Sequence, residues 1–166
     1  GGSATVHFPI WHQEIEDIIV LKNNKGTEDN RVRKLDYSIQ ISKLFYERFI
    51  SNGDITLFSP HDTPGLYDAF GTDKFDDLYT RYESDESIPK KTIGAQELIL
   101  DLLKERAETG RIYIMNIDHC NEHSSFKDKV NMSNLCQEIT LPTDPIQHID
   151  GEGEIALCIL SAINVG

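Results

Sequence analysis

The run Ser133-Asn134-Leu135-Cys136-Gln137-Glu138-Ile139 places an amide, a thiol and a carboxylate at alternate positions. In an extended segment side chains two apart share a face. Asn134, Cys136 and Glu138 are therefore expected on one side, with Leu135, Gln137 and Ile139 on the other. A helix would spread the three, leaving only Asn134 and Glu138 as neighbours. A nucleophilic or metal-binding cysteine is served by positive neighbours, whereas the nearest partner in sequence here is an acid, and a carboxylate disfavours a thiolate. That company suits a thiol that gives or takes a hydrogen atom. Glu138 is then available as a general base, and Asn134 can both donate to and accept from a substrate hydroxyl. The competing reading is a half-buried strand whose cysteine is simply a small apolar side chain.

Two more cysteines invite chemistry. His119, Cys120 and His123 follow a strand-like run and could supply zinc ligands, but no second cysteine-rich half exists, so a structural turn is expected and no metal. Cys158 lies in Gly153–Val165, a nearly continuous apolar stretch. As a thiol in a strand it could approach Cys136 and pass reducing equivalents, or it could be a buried structural cysteine.

The elements that must position these groups read as alternating strands and helices. Residues 4–10 form a strand, and Trp11, Ile15, Ile18 and Ile19 make one helical stripe. A loop over 22–26 follows. Lys22, Lys25, Arg31, Arg33 and Lys34 are the basic concentration of the chain, read as a solvated loop with phosphate contact as the rival. Residues 35–50 are expected as a helix, 54–58 as a strand, 61–71 as a loop, 73–82 as an acidic helix, and 91–108 as a longer helix stopped by Gly110. Residues 111–117 are the clearest strand, and 153–165 is a strand covered on both faces. The alternation and the continuous apolar run point to a parallel α/β sheet or barrel.

The chain has 166 residues, 39% of them hydrophobic, enough for one domain with a core. Its 28 acidic residues against 16 basic ones give a net charge of −12, which disfavours direct contact with nucleic acid or anionic membrane. No apolar run approaches the roughly 20 residues that span a bilayer, and no signal peptide is seen. The three cysteines form no disulfide framework, so the expected compartment is the cytoplasm. The absence of an initial Met and the apolar C-terminal run suggest a piece of a longer chain.

Several segments together resemble the large, catalytic subunit of class I ribonucleotide reductase. They are Phe8-Pro9-Ile10-Trp11-His12, Leu21-Lys22-Asn23-Asn24, Asn30-Arg31-Val32-Arg33 with Asp36-Tyr37, Leu57-Phe58-Ser59-Pro60, and Pro64-Gly65-Leu66-Tyr67-Asp68-Ala69-Phe70. They continue with Thr109-Gly110-Arg111-Ile112-Tyr113, Asp118-His119-Cys120-Asn121, the Ser133–Ile139 run, Leu141-Pro142-Thr143, and Gly153-Glu154-Ile155-Ala156-Leu157-Cys158. They run in family order along the whole chain, with wording nearest the T-even bacteriophage form.

The resemblance implies part of a ten-stranded α/β barrel with a catalytic finger loop through its centre. On that loop Cys136 would become the thiyl radical that removes the ribose 3′-hydrogen. Glu138 would be the base on the 3′-hydroxyl, Asn134 would hold the substrate, and Leu135 and Gln137 would line the nucleotide. Cys158 would belong to the redox pair. Residues 1–166 would be an incomplete fragment of the barrel domain, lacking the N-terminal allosteric region and the C-terminal half. Gly1-Gly2 would end a loop that relays effector identity.

No cofactor is expected on this chain itself. The whole enzyme would use ATP or dNTP effectors, a ribonucleoside diphosphate substrate, a metal-containing small subunit as radical source, and thioredoxin or glutaredoxin. The fragment alone is expected to be inactive and aggregation-prone. Rival readings are a related radical enzyme using cobalamin or a glycyl radical, and a non-catalytic split-gene piece or relic.

Overall fold

The computed structural model describes residues 2–22, 32, 34–146, 148 and 151–166. Gly1 and most of the loop and basic run expected over 22–34 lie outside these residues. Lys22 is described, and its Nζ is 2.8 Å from Asp36 Oδ1, at the start of a strand.

Among the described residues the elements follow in order: β1 (Ala4–Pro9), α1 (Ile15–Ile19), β2 (Leu35–Ile41), α2 (Lys43–Ile50), β3 (Asp54–Phe58), α3 (Leu66–Ala69), α4 (Phe75–Ser84), β4 (Lys90–Gly94), α5 (Ala95–Thr109), β5 (Ile112–Asn116) and α6 (Ile117–Glu122). β1, β2 and β5 form a parallel sheet in that spatial order, and β3 pairs antiparallel with β4. The hairpin joins the parallel sheet where Phe58 N donates to Trp11 O at 2.8 Å and Gln13 N donates to Phe58 O at 2.9 Å. The result is a mixed α/β architecture around a parallel sheet, as the alternation of patterns implies.

The register gives the parallel sheet two unlike faces. Register partners share a face. Val6 and Phe8 lie beside Tyr37 and Ile39, which lie beside Ile112 and Ile114. This apolar face packs under the helices. A cluster of buried rings fills the space beyond it: Trp11, Phe45, Phe58, Phe70, Phe75 and Tyr79. Phe70 and Phe75 have centroids 4.7 Å apart, and Phe45 meets Tyr79 edge-on at 5.3 Å. The opposite face carries Thr5, His7, Asp36, Ser38, Gln40 and Tyr113, with Pro9 and Met115 as apolar members.

Several expectations change. Residues 35–50 are a strand and then a helix, separated by Ser42 with extended backbone (φ −108°, ψ 168°). The alternation Tyr37, Ile39, Ile41 against Ser38, Gln40 has period two. Because its polar members are buried under other parts of the chain, the pattern also imitates a helix with a wet side. The start of the 91–108 helix belongs to β4, drawn out by pairing with β3, and the helix proper stops as expected at Gly110, whose φ of 64° suits glycine. The 61–71 loop contains the short α3, and the acidic helix is shifted to Phe75–Ser84.

Residues 153–165 do not join a sheet. Among described residues their only ladder contact is the isolated bridge of Glu154 with Asp144, and Leu157, Ile159 and Leu160 are exposed. An apolar strand needs partners on both edges and both faces, and no described element supplies them.

One polar clamp ties α2, β3 and α4 together. Arg48 reaches Glu83 with two nitrogens, each 2.5 Å from a carboxylate oxygen. Glu83 Oε1 accepts from Thr56 Oγ1 at 2.7 Å, while Tyr79 OH donates to Thr56 O and accepts from Thr56 N. Burial raises the Tyr79 phenol well above its usual pKa, so it remains a donor. A forked, largely shielded charge pair contributes more than a surface one. Glu83→Gln is expected to lower unfolding free energy by about 1–3 kcal/mol, read from the urea midpoint. A midpoint equal to that of the parent chain would show that the clamp adds nothing to stability.

Candidate active-site loop

The polar face of the sheet is not solvated. Ser38 is fully buried and Gln40 is 1% exposed. Buried amides and hydroxyls need hydrogen-bond partners, and here the partners come from the segment after α6. Gln40 Nε2 donates to Asn131 O at 2.6 Å. His7 Nε2 is 3.2 Å from Ser133 O, and Thr5 Oγ1 donates to Leu135 O at 2.6 Å. Ser38 Oγ donates to Gln137 Oε1 at 3.1 Å, and Gln137 Nε2 donates to Ile114 O at 3.0 Å. Residues 131, 133, 135 and 137 are thus pinned to the sheet in succession.

The segment is a turn where an extended run was expected. Gln137 N donates to Asn134 O at 3.1 Å, and Gln137 takes a left-handed φ of 66°. Ser133 Oγ donates to Ile139 O at 2.6 Å, and Ile139 N donates to Asn134 Oδ1 at 2.9 Å, closing the loop on itself. The tight reversal arises because both limbs are tied together while Gln137 is drawn down to Ser38. The alternate-face geometry expected of Asn134, Cys136 and Glu138 therefore gives way to a loop tip. Cys136 and Glu138 are both exposed there. Asn134 is half-buried, with its oxygen spent on the loop and no hydrogen bond from its Nδ2 among the described residues.

Other expected residues stand apart. Cys158 is an exposed free thiol on the unpaired 155–166 segment. Leu135 is exposed with its carbonyl held by Thr5, while the Gln137 side chain points into the sheet as an anchor. His119 and Cys120 lie in α6, with His123 as its C-cap. Burial, helped by Asp118, raises the Cys120 thiol pKa. Among the described residues no group of three His, Cys, Asp or Glu side chains is arranged to hold a metal, and no helix is long and apolar enough to cross a membrane.

Sequence reasoning assigns no role to the anchors His7 and Gln40, and it includes Asn121 only within a segment of the family resemblance. A buried polar residue alternating with apolar ones in β2 was the available signal for Gln40; His7 offered a similar one in β1.

A family model described as "Ribonucleotide reductase, barrel domain" matches residues 1–166. The chain is 58% identical to the ribonucleoside-diphosphate reductase subunit alpha of Haemophilus influenzae, over 100% of this chain and 23% of that protein. It is 56% identical to the ribonucleoside-diphosphate reductase 1 subunit alpha of Escherichia coli, over 88% of this chain and 20% of that protein. The corresponding subunit of Enterobacteria phage T4 is 48% identical, over 98% and 22% respectively. The phage protein is the least similar of these three, so the comparisons give the family without the phage subtype. The chain spans less than a quarter of the length of these relatives, 20–23%.

His7 makes the loop's attachment sensitive to pH. Among the described residues its buried Nδ1 has no partner, which favours the tautomer that carries hydrogen on Nε2 and donates to Ser133 O. Burial lowers its pKa, and the Ser133 hydrogen bond offsets this only in part. His12 is lowered too, by burial against the pull of Glu14. With folded pKa values below the unfolded one, stability is complete above about pH 6.5 and falls as the unfolded chain gains protons first. Urea unfolding between about pH 7.5 and 5.5 should show this loss, and His7→Phe should make it shallower. An identical slope in the variant would remove His7 from the account.

Proposed function

Because the chain belongs to the ribonucleotide reductase family, through the barrel domain of the large subunit, we propose that it forms part of a catalytic subunit that reduces ribonucleoside diphosphates to deoxyribonucleotides. One observation carries this reading. The 133–139 loop is pinned along the polar face of the parallel sheet and turns at 134–137, so that an exposed Cys136 sits at its tip with Asn134 and Glu138.

In this reading the loop is the catalytic finger of a barrel whose remaining strands come from other parts of the large subunit. Cys136, as a thiyl, takes the hydrogen atom from ribose C3′; an S–H bond forms and the unpaired electron moves to that carbon. Glu138 accepts the 3′-hydroxyl proton, which favours departure of the 2′-hydroxyl as water. Asn134, whose Nδ2 makes no hydrogen bond among the described residues, would hold a ribose hydroxyl. Cys158 and a second cysteine outside this sequence supply two electrons and two protons, and end as a disulfide. Glu138 then gives its proton back to the 3′-oxygen, and Cys136 returns the hydrogen atom to C3′ and is a thiyl again. The net change is ribonucleotide plus dithiol to deoxyribonucleotide, disulfide and water.

The radical would come from a small subunit with its own metal centre, and the disulfide would be reduced by thioredoxin or glutaredoxin. ATP or dNTP effectors would bind elsewhere on the large subunit. This chain itself would hold no cofactor, and it would work in a cytoplasm.

In the complete subunit, Cys136→Ser should abolish turnover while nucleotide affinity stays within about threefold. Retained turnover would sink the radical assignment. Cys158→Ser should stop steady-state turnover with external reductant while leaving a first turnover from dithiol already present elsewhere; unchanged steady-state activity would take it out of the redox pair.

A further inference from the structure

We infer that the side-chain amides of half-buried Asn121 and buried Gln40 are positioning residues for Cys136, an inference that rests on the catalytic reading of its loop. Neither side chain contacts the thiol. Both act on the backbone at the root of the loop, where the chain leaves α6 and first meets the sheet.

Asn121 behaves like a short piece of strand. Its Oδ1 accepts from Val130 N at 2.8 Å, and its Nδ2 donates to Val130 O at 3.0 Å and to Ile117 O at 2.9 Å. Both backbone groups of Val130, a fully buried residue, are thereby satisfied by one amide. The next residue is held from a different element, with Gln40 of β2 donating to Asn131 O. The two amides thus fix consecutive residues from two sides. Asp at 121 would set a second oxygen against the carbonyls of Ile117 and Val130, and Gln would be a methylene too long.

The surroundings are built to admit this clamp. Gly71 has φ 85°, and a Cβ there would stand 2.7 Å from Ile117 Cγ1 and 3.0 Å from Asn121 Nδ2. Glycine at 71 thus leaves room for α6 and the Asn121 amide. Beyond the root, the anchors at Ser133, Leu135 and Gln137 bond to sheet residues that do not themselves fix where the loop begins. A rigid entry at Val130–Asn131 brings those groups into register with Thr5, His7 and Ser38. Since a reacting group displaced by about 1 Å can lose on the order of 100-fold in rate, an entry held by two amides matters to the tip.

The test uses the complete large subunit with its small subunit and a dithiol reductant. Asn121→Leu and Gln40→Met remove the hydrogen bonds at similar volume, and Glu83→Gln serves as a destabilised control remote from the loop. Alkylation of Cys136 by iodoacetamide, read by peptide mass, should rise about fivefold or more in both loop variants and stay within about twofold in the control. Turnover should fall by about 10- to 100-fold in kcat with KM within about threefold. Unchanged alkylation, an equal rise in the Glu83→Gln control, or a loss expressed wholly in KM would overturn the inference. A variant that does not fold would make that amide a fold determinant and overturn its assignment. Absence of ribonucleotide reduction by the parent subunit would instead remove the catalytic reading, while alkylation would still decide whether the amides hold the loop.

Discussion

A parallel sheet with one polar face cannot leave that face buried and unpaired, and the rest of this structure follows from how the requirement is met. Ser38 and Gln40 are out of water, and His7 and Thr5 stand beside them. Each finds its partner on the segment that follows α6. A buried polar group without a partner costs about 1–3 kcal/mol, so the sheet holds the loop as firmly as the loop covers the sheet. Apolar residues at these positions would stabilise a core but would offer nothing to aim a loop.

β2 is the hinge of this arrangement because it serves both sides. Ile39 and Ile41 enter the aromatic core beneath the helices, while Ser38 and Gln40 hold the loop. The helices on the apolar side are locked in turn by the Arg48–Glu83–Thr56 clamp. Rigidity is thus carried from the core through a central strand to the tip that exposes Cys136, which is the arrangement a precisely placed reacting group requires.

The alternation of elements, the strand before α6, the strand at 54–58 and the Gly110 helix stop were legible because each is a local pattern of period, propensity or backbone freedom. What was not legible depended on partners distant in sequence. β2 was expected as the head of a helix, whereas its buried Ser38 and Gln40 find their partners among residues near 131–137. The head of the 91–108 helix became β4 because β3 was present to pair with it. The chemistry of Asn134, Cys136 and Glu138 could be read from residue type. Their geometry could not, since a turn with Gln137 in the left-handed region is imposed by Ser38 and Ile114 from below. The apolar 153–165 run announces a strand whose neighbours no described part of the chain provides.

The central claim is that this loop presents Cys136 to a ribose, and a crystal structure of the complete large subunit with a ribonucleoside diphosphate tests it most directly. The account predicts the ribose seated on the 134–138 tip, with the Cys136 Sγ within about 3.5 Å of a ribose carbon and Asn134 and Glu138 on its hydroxyls. A nucleotide bound with its ribose away from this tip, or a loop lifted from Thr5, His7 and Ser38 in the bound state, would contradict it.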